Sequence, residues 1–447
     1  MTTPTPSGAT SASASVSPVA GSAPTRPGAP RPDTTTAGAS ASLGFLRGLW
    51  IVTRLELAQR IRSRKLYVAL AIWFLVIGAV TLLMLAAFVR SRTSETPDSA
   101  FGPAAFGIIT LFVLGLSLLV TPTFTALSIN GDRDAGTLAI LQATRLTAVQ
   151  IAGGKLLAAW LLALWFLVAA LPWIVVTTVM GGISPLQVVV CFLVMFVEVA
   201  IVCAIGLGWS ALIGRPAGST VMTYASVALL SVILPITLGF ASVLTMRNDT
   251  VHVWNYAGDP ATLTAQANDW AASGFAPSKR PDWSACHPEE QVMTRPHVES
   301  IWWLIAPNPF VIVADAAPLP SGARGNLETW AGRSGDPLAW LSLLTRSLSL
   351  PPSSDLDQCS WALMSDNPAL RNYEVLSTTD GGAVVVDSKG NVLDTGSPVP
   401  RRIITANTPI WPWGLGFSLL LGAGMFYVAV RRLSVPYGVL PKGTRVA

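Results

Sequence analysis

Residues 60–89 read RIRSRKLYVALAIWFLVIGAVTLLMLAAFV, a dense basic cluster (Arg60, Arg62, Arg64, Lys65) followed by a stretch without charge from Leu66 to Val89. Such a run exceeds the roughly 20 apolar residues a helix needs to cross a bilayer's hydrocarbon. Basic residues abutting an apolar run favour the cytoplasmic face, so the cluster orients this first span with its start inside.

Five similar runs follow, at Ala104–Ile129, Leu156–Met180, Leu186–Ile213, Val221–Val243 and Ile410–Val430. The whole chain of 447 residues is 51% hydrophobic and only 12% charged, with mean hydropathy +0.53, against about 25% charged in a soluble protein. This composition excludes a large soluble core and predicts a multi-pass membrane protein. The connections alternate in character. Asp132, Arg133, Asp134, Arg145 and Lys155 lie between runs two and three, Arg215 between four and five, and Arg431 and Arg432 after six, whereas residues 181–185 carry no charge. Both termini are therefore expected in the cytoplasm. Arg90 and Arg92 fall on the other side, offset by Glu95 and Asp98. The formal charge of +5 does not point to nucleic acid, because several of the basic residues sit beside apolar runs as helix anchors.

The fold expected is an all-α polytopic membrane bundle of six transmembrane helices carrying an inserted extracytoplasmic mixed domain. Residues 1–42, almost all Ser, Thr, Ala, Pro and Gly, form a disordered cytoplasmic tail, since such a segment buries too little surface to offset its ordering entropy. It lacks the apolar core of a signal peptide. Residues 43–65 are an amphipathic interfacial helix: Leu43, Leu46, Trp50, Leu57 and Ile61 recur at three-to-four spacing, with Arg47, Arg54, Arg60 and Arg62 filling much of the remainder. That pattern suits the headgroup layer, and it also suits the solvated first turns of a longer helix. Helices one to five occupy 66–245, the extracytoplasmic domain 246–408, helix six 409–432 and a cytoplasmic tail 433–447.

The inserted stretch is rich in Pro, Asp, Gly and Trp. Its apolar piece 301–313 is too short and Pro-broken to cross, and its paired Trp302 and Trp303 suit a membrane interface. Ala383–Val386 and Asn391–Leu393 flank Lys389-Gly390 as a small hairpin. Of the four cysteines, Cys191 and Cys203 lie in the fourth run as small apolar residues, while Cys286 and Cys359 lie where the compartment permits a disulfide. His252, His287 and His297 match no standard zinc spacing, and Asp387–Asn391 lacks the alternating carboxylates of a calcium loop. No metal site is expected.

No catalytic set is visible. Gly154-Lys155 is followed by Leu156 and is not preceded by the Gly a phosphate-binding loop requires. ATP hydrolysis is therefore not expected in this chain. Glu198 stands near the middle of the fourth run, where an acid costs about 3 kcal/mol on insertion scales and must face protein or water. It either lines a dimer interface or translocation path, or holds helices together. Pro122, Pro172 and Pro235 bend or shape their helices.

Residues 129–141 read INGDRDAGTLAIL, and Gly154-Lys155-Leu156 opens the next run. An acidic-Arg-x-x-Gly-Thr-Leu pattern followed by Gly-Lys-Leu resembles the cytoplasmic loop of type-2 ABC exporter permeases. The basic lead-in ending Arg62-Ser63-Arg64-Lys65-Leu66-Tyr67, the six-span layout and Asn308-Pro309-Phe310 are similar to that family too. The resemblance covers roughly 43–243 and the last span. It implies a plasma (inner) membrane protein of a prokaryote, not itself an enzyme, which pairs with a second permease subunit and docks a cytoplasmic ATPase that carries ATP and magnesium. It also implies an ATPase-coupling loop of Asp132, Arg133, Asp134, Gly136, Thr137, Leu138 and Lys155, beside an interfacial helix that includes Trp50, Arg54, Arg60, Arg62, Arg64 and Lys65. Asp132 stands where the family more often has Glu. The alternative is a membrane-anchored sensor or assembly subunit that binds a ligand through its extracytoplasmic domain.

Overall fold

The computed structural model describes residues 44–91, 101–181, 183–274, 276–318, 331, 335–360, 374–377, 383–386, 392–393, 396–400 and 408–434. The expected N-terminal tail, Arg92, Glu95 and Asp98, the stretch Asp387–Asn391 with its Lys389-Gly390 turn, and 435–447 of the C-terminal tail lie outside them. The described chain is mostly helical. It begins α1 (Phe45–Ile61), α2 (Arg64–Ser91), α3 (Phe101–Thr125), α4 (Ser128–Asp134), α5 (Thr137–Ala143), α6 (Ala148–Gly181) and α7 (Pro185–Leu212). There follow α8 (Pro216–Ala228), a π-helical turn (Leu229–Ile233), α9 (Leu234–Leu244), α10 (Pro260–Ala272), α11 (Pro309–Ala316), α12 (Pro337–Leu348) and α13 (Trp411–Leu433).

Among the described residues, six helical stretches are long and apolar enough to cross a membrane: Arg64–Ala87, Gly102–Asp134, Ala148–Val179, Pro185–Leu212, Pro216–Leu244 and Trp411–Leu433. This is the architecture of a multi-pass membrane protein. Their starts follow local chemistry. Pro185, Pro216, Pro260, Pro309 and Pro337 each open a helix, where a missing N–H costs nothing. The side chains of Asp259, Asn308 and Asp336 cap three of these by accepting from backbone N–H groups. α6 begins at Ala148, well before the apolar run at Leu156. Thr147 and Gln150 explain this: each backbone N–H donates to the other's side-chain oxygen, at 2.8 and 3.2 Å, which is a reciprocal capping box.

α7 is the central helix, packed against α3, α6 and α13, and it buries Cys191, Met195, Glu198, Val202 and Cys203 among many others. Both cysteines are free thiols in this core. The main core joins α2, α3, α6 and α7 through Trp73, Phe106, Leu114, Leu162 and Phe166. α11 belongs to the same core, with Ile312, Val313 and Ala314 fully buried. The apolar piece 301–313 is thus a short inserted helix covered by protein, preceded by a 3-10 turn in which Trp303 is exposed.

Asn308 shows how the insertion is held. Pro235 has no N–H to give to the carbonyl four residues earlier, that of Ser231, and Asn308 Nδ2 donates to that oxygen at 3.0 Å. Its Oδ1 meanwhile caps α11 by accepting from Phe310 and Val311. One amide therefore repairs the proline break and starts the helix. Asp315, at the other end of α11, is buried and accepts from Arg346 Nε (2.7 Å) and Ser342 Oγ (2.8 Å) of α12. Its second oxygen accepts from the backbone of Ile410 (2.6 Å) and Trp411 (2.8 Å), so a distant carboxylate caps the last span.

At this end of the bundle β1 (Met246–Tyr256) continues directly from α9 and pairs antiparallel with β2 (Cys286–Pro296) along its whole length. β3 (Asp355–Asp357) adds parallel to β1, giving the order β2-β1-β3. Val251 and Val253 of the central strand are buried. Cys286 and Cys359 form a disulfide closing a sequence separation of 73 residues, beside Leu263, Ala267 and Trp283. A loop of that size corresponds to about 4 kcal/mol in the chain-entropy model. A second sheet orders β4 (Glu374–Ser377), β5 (Ala383–Val386) and β6 (Val392–Leu393) as neighbours. β5 and β6 pair antiparallel where the sequence places a hairpin.

His297 ties the first sheet to α9. Its backbone N–H donates to Thr245 O at 3.1 Å, and its ring nitrogens meet Glu299 Oε1 at 2.7 Å and Asp249 Oδ2 at 2.8 Å. The hydrogen bond to Glu299 foremost, with Asp249 adding, holds its pKa above the ordinary 6.5. A raised pKa of this kind contributes stability that is fully present below pH 6.5 and is lost as pH rises through the higher folded value.

Two outcomes follow in thermal unfolding of the detergent-solubilised chain. Asn308→Ala removes a cap and leaves the Ser231 carbonyl without its donor, costing about 2–4 kcal/mol. The wild-type chain loses stability as pH rises above 6.5, whereas His297→Gln flattens that part of the profile.

Candidate functional site

The end of the bundle opposite the sheets gathers the charged residues of the sequence motif. α1 lies against the start of α6, and the face it buries is Gly48, Val52, Thr53 and Glu56. The apolar stripe is split: Leu46 and Trp50 are 76% and 55% exposed, whereas Leu57 and Ile61 are half-buried against the main core. The inward face is small because the helices approach closely: a Cβ at Gly154 would stand 2.5 Å from Val52 Cβ and 3.0 Å from Leu49 O. Thr53 Oγ1 donates to Leu49 O at 2.9 Å, and Gln150 Nε2 of α6 reaches Phe45 O at 3.3 Å.

Lys155 lies at the centre. It is 1% exposed, although it stands in the charged connection between spans two and three. Its Nζ pairs with Glu56 of α1 and, at 2.5 Å, with Asp132 Oδ2 of α4, and it donates to Ser128 O at 3.1 Å. A buried ammonium is tolerated only when paired and hydrogen-bonded, and this one has two carboxylates and a carbonyl from two other elements. Arg60 extends the cluster, 3.8 Å from Glu56 and donating to Phe124 O of α3 at 2.8 Å.

α4 is held on its other side by Asn130, which is fully buried. Its Nδ2 donates to Ile213 O (2.7 Å) and Ser219 Oγ (3.0 Å), and its Oδ1 accepts from Arg133 Nη1 (3.0 Å). Ser210 Oγ of α7 accepts from the backbone of Ile129 and Asn130, and Ser219 Oγ of α8 donates to Ala126 O. α5 reaches the last span, where Gln142 Nε2 donates to Leu433 O at 3.2 Å. Between α4 and α5 the chain turns at Gly136, whose φ of +68° strains any residue with a Cβ. Asp134, Ala135, Gly136 and Thr137 are exposed, while Leu138 is buried.

The motif residues are therefore brought together as a helix-turn-helix whose turn is exposed and whose flanks bond to α6, the α7–α8 connection and the end of α13, with α1 joined to them through Lys155. Arg54, Arg62, Arg64 and Lys65 are exposed near it. Glu198 lies apart, buried midway along α7, and its Oε1 has no hydrogen-bond partner among the described residues. Among those residues no group of three or more His, Cys, Asp or Glu side chains could hold a metal. Sequence reasoning missed Glu56 and Asn130. Glu56 is the sole acid among the basic residues of α1, a signal that a cation elsewhere needs it; Asn130 carried no comparable signal.

No family model and no curated protein matches the chain.

Lys155→Met leaves Glu56 and Asp132 facing each other without their ammonium, and should cost about 3–5 kcal/mol. Neutralising all three (Lys155→Met, Glu56→Gln, Asp132→Asn) should recover most of that loss. Thermal unfolding in detergent checks both.

Proposed function

We propose that the chain is the permease subunit of an ATP-driven exporter of the type-2 ABC class, in a prokaryotic plasma membrane, with both termini in the cytoplasm. The observation that carries this reading is the exposed turn Asp134–Thr137, which sits on a motif resembling that family's coupling loop and whose flanks bond to α6, α7, α8 and α13, with α1 joined through Lys155. A push on the turn from a soluble partner would reach five helices at once. ATP and magnesium belong to a cytoplasmic ATPase docking at this turn and along α1. Closure of that ATPase would tilt the elements tied to Lys155 and Asn130, opening the spans alternately to either side.

A second permease subunit also fits. The helices Arg64–Ala87, Pro216–Leu244 and Trp411–Leu433 are each mostly unburied, and their apolar faces, with Val221, Phe240, Trp413 and Leu420 exposed, would meet acyl chains or another copy. The disulfide-stapled sheet between spans five and six supports the alternative of a membrane-anchored sensor or assembly subunit, since a rigid sheet is a fit platform for a ligand.

Affinity purification of the tagged chain from native membranes in mild detergent tests the choice. A co-purifying ATPase is expected, with Arg133→Ala and Gly136→Pro uncoupling its ATP hydrolysis from the chain. A dimer purified with no ATPase would overturn the exporter reading.

A further inference from the structure

A cavity of about 710 Å³ lies between α2, α3 and α6, beginning at the break between α1 and α2. That volume is within the range of about 300–1,000 Å³ typical of small-molecule sites. Its body is apolar: Ala69 and Trp73 of α2, Leu116 and Val120 of α3, and Leu162 and Phe166 of α6. One end is cationic, lined by Arg60, Ser63 and Lys65. Ile72 and Val76, also in its wall, are exposed large apolar residues on the α2 face that would lie in the hydrocarbon of a bilayer. The cavity is therefore open sideways to acyl chains and capped by positive charge at the level of the basic cluster.

Its polar groups are poorly satisfied. Lys65 is exposed and has no ion-pair partner among the described residues. Arg60 shares Glu56 with Lys155 and gives one donor to Phe124 O, which leaves other guanidinium donors available. Trp73, 5% exposed, closes the apolar wall with its ring edge-on to Phe166 at a centroid distance of 5.2 Å.

We propose that this cavity binds one anionic glycerophospholipid, its phosphate between Arg60 and Lys65 and an acyl chain lying against Trp73, Leu116 and Phe166. The charge selects the headgroup. Glu56 is the one acid of α1 beside the cavity and is already shared by two cations, while Arg62 and Arg64 flank the mouth exposed. A basic residue near a membrane surface adds about 1 kcal/mol of attraction to an anionic lipid, about a fivefold preference. The bound lipid would brace the α1–α2 break against α3, next to the Lys155 cluster.

The full-length chain in zwitterionic detergent is mixed with increasing phosphatidylglycerol or phosphatidylcholine of the same acyl chains, and lipid retained per chain is read by native mass spectrometry. One phosphatidylglycerol per chain is expected, held about fivefold more tightly than phosphatidylcholine. Lys65→Gln should weaken that preference, and Ala69→Trp, which fills the cavity body, should abolish retention of either lipid. Equal retention of the two lipids by the wild-type chain overturns the proposal, as does an unchanged preference in Lys65→Gln. Lys65 is exposed, so its substitution keeps the test valid even if Ala69→Trp fails to fold.

Discussion

A single ammonium constrains one whole end of this molecule. Lys155 stands inside the protein at the start of α6, and a buried cation without partners would be untenable. Glu56 and Asp132 satisfy it, and to do so α1 must lie against α6 while α4 continues from the end of α3 towards the start of α6. The other contacts at this end depend on that arrangement. The close fit of Val52 over Gly154, the reach of Arg60 to Phe124 O and the seating of Asn130 on the α7–α8 connection all require α1 and α4 to be where Lys155 holds them.

The opposite end uses a carboxylate in the same way. Asp315 takes hydrogen bonds from Arg346 and Ser342 on one side and from the first N–H groups of the last span on the other. Charge-assisted bonds of this kind are among the stronger ones available to a protein. Between the two ends the helices meet mostly through apolar side chains, including the interlocked rings of Trp73 and Phe166 and of Trp160 and Phe196. The π-helical turn at Leu229–Ile233, next to Pro235, is a natural place for span five to bend.

Much of this was legible in the residues. The six apolar runs, the disulfide partners Cys286 and Cys359 and the paired strands around Lys389-Gly390 follow from run length, cysteine placement and turn chemistry. Other features were not. β2 reads Cys-His-Pro-Glu-Glu-Gln-Val-Met-Thr-Arg-Pro and is largely exposed, so it has no strand periodicity of its own; it is a strand because β1 offers it a complete ladder. The burial of α11 was hidden because an apolar stretch of its length suits an interface as well as a core. The burial of Lys155 was equally hidden, since nothing local distinguishes a solvated lysine from one that meets two distant acids.

The sequence by itself determined the apolar spans, their approximate limits and the charges that flank them, because hydrophobic run length and basic clustering act locally. Only the tertiary structure decided which charges are buried, which carboxylate caps which helix, and that an apolar cavity opens beside Arg60 and Lys65. Those depend on partners drawn from residues 99 positions apart in the Lys155–Glu56 pair and 95 or more in the Asp315 cap, and no local pattern encodes a meeting at that distance.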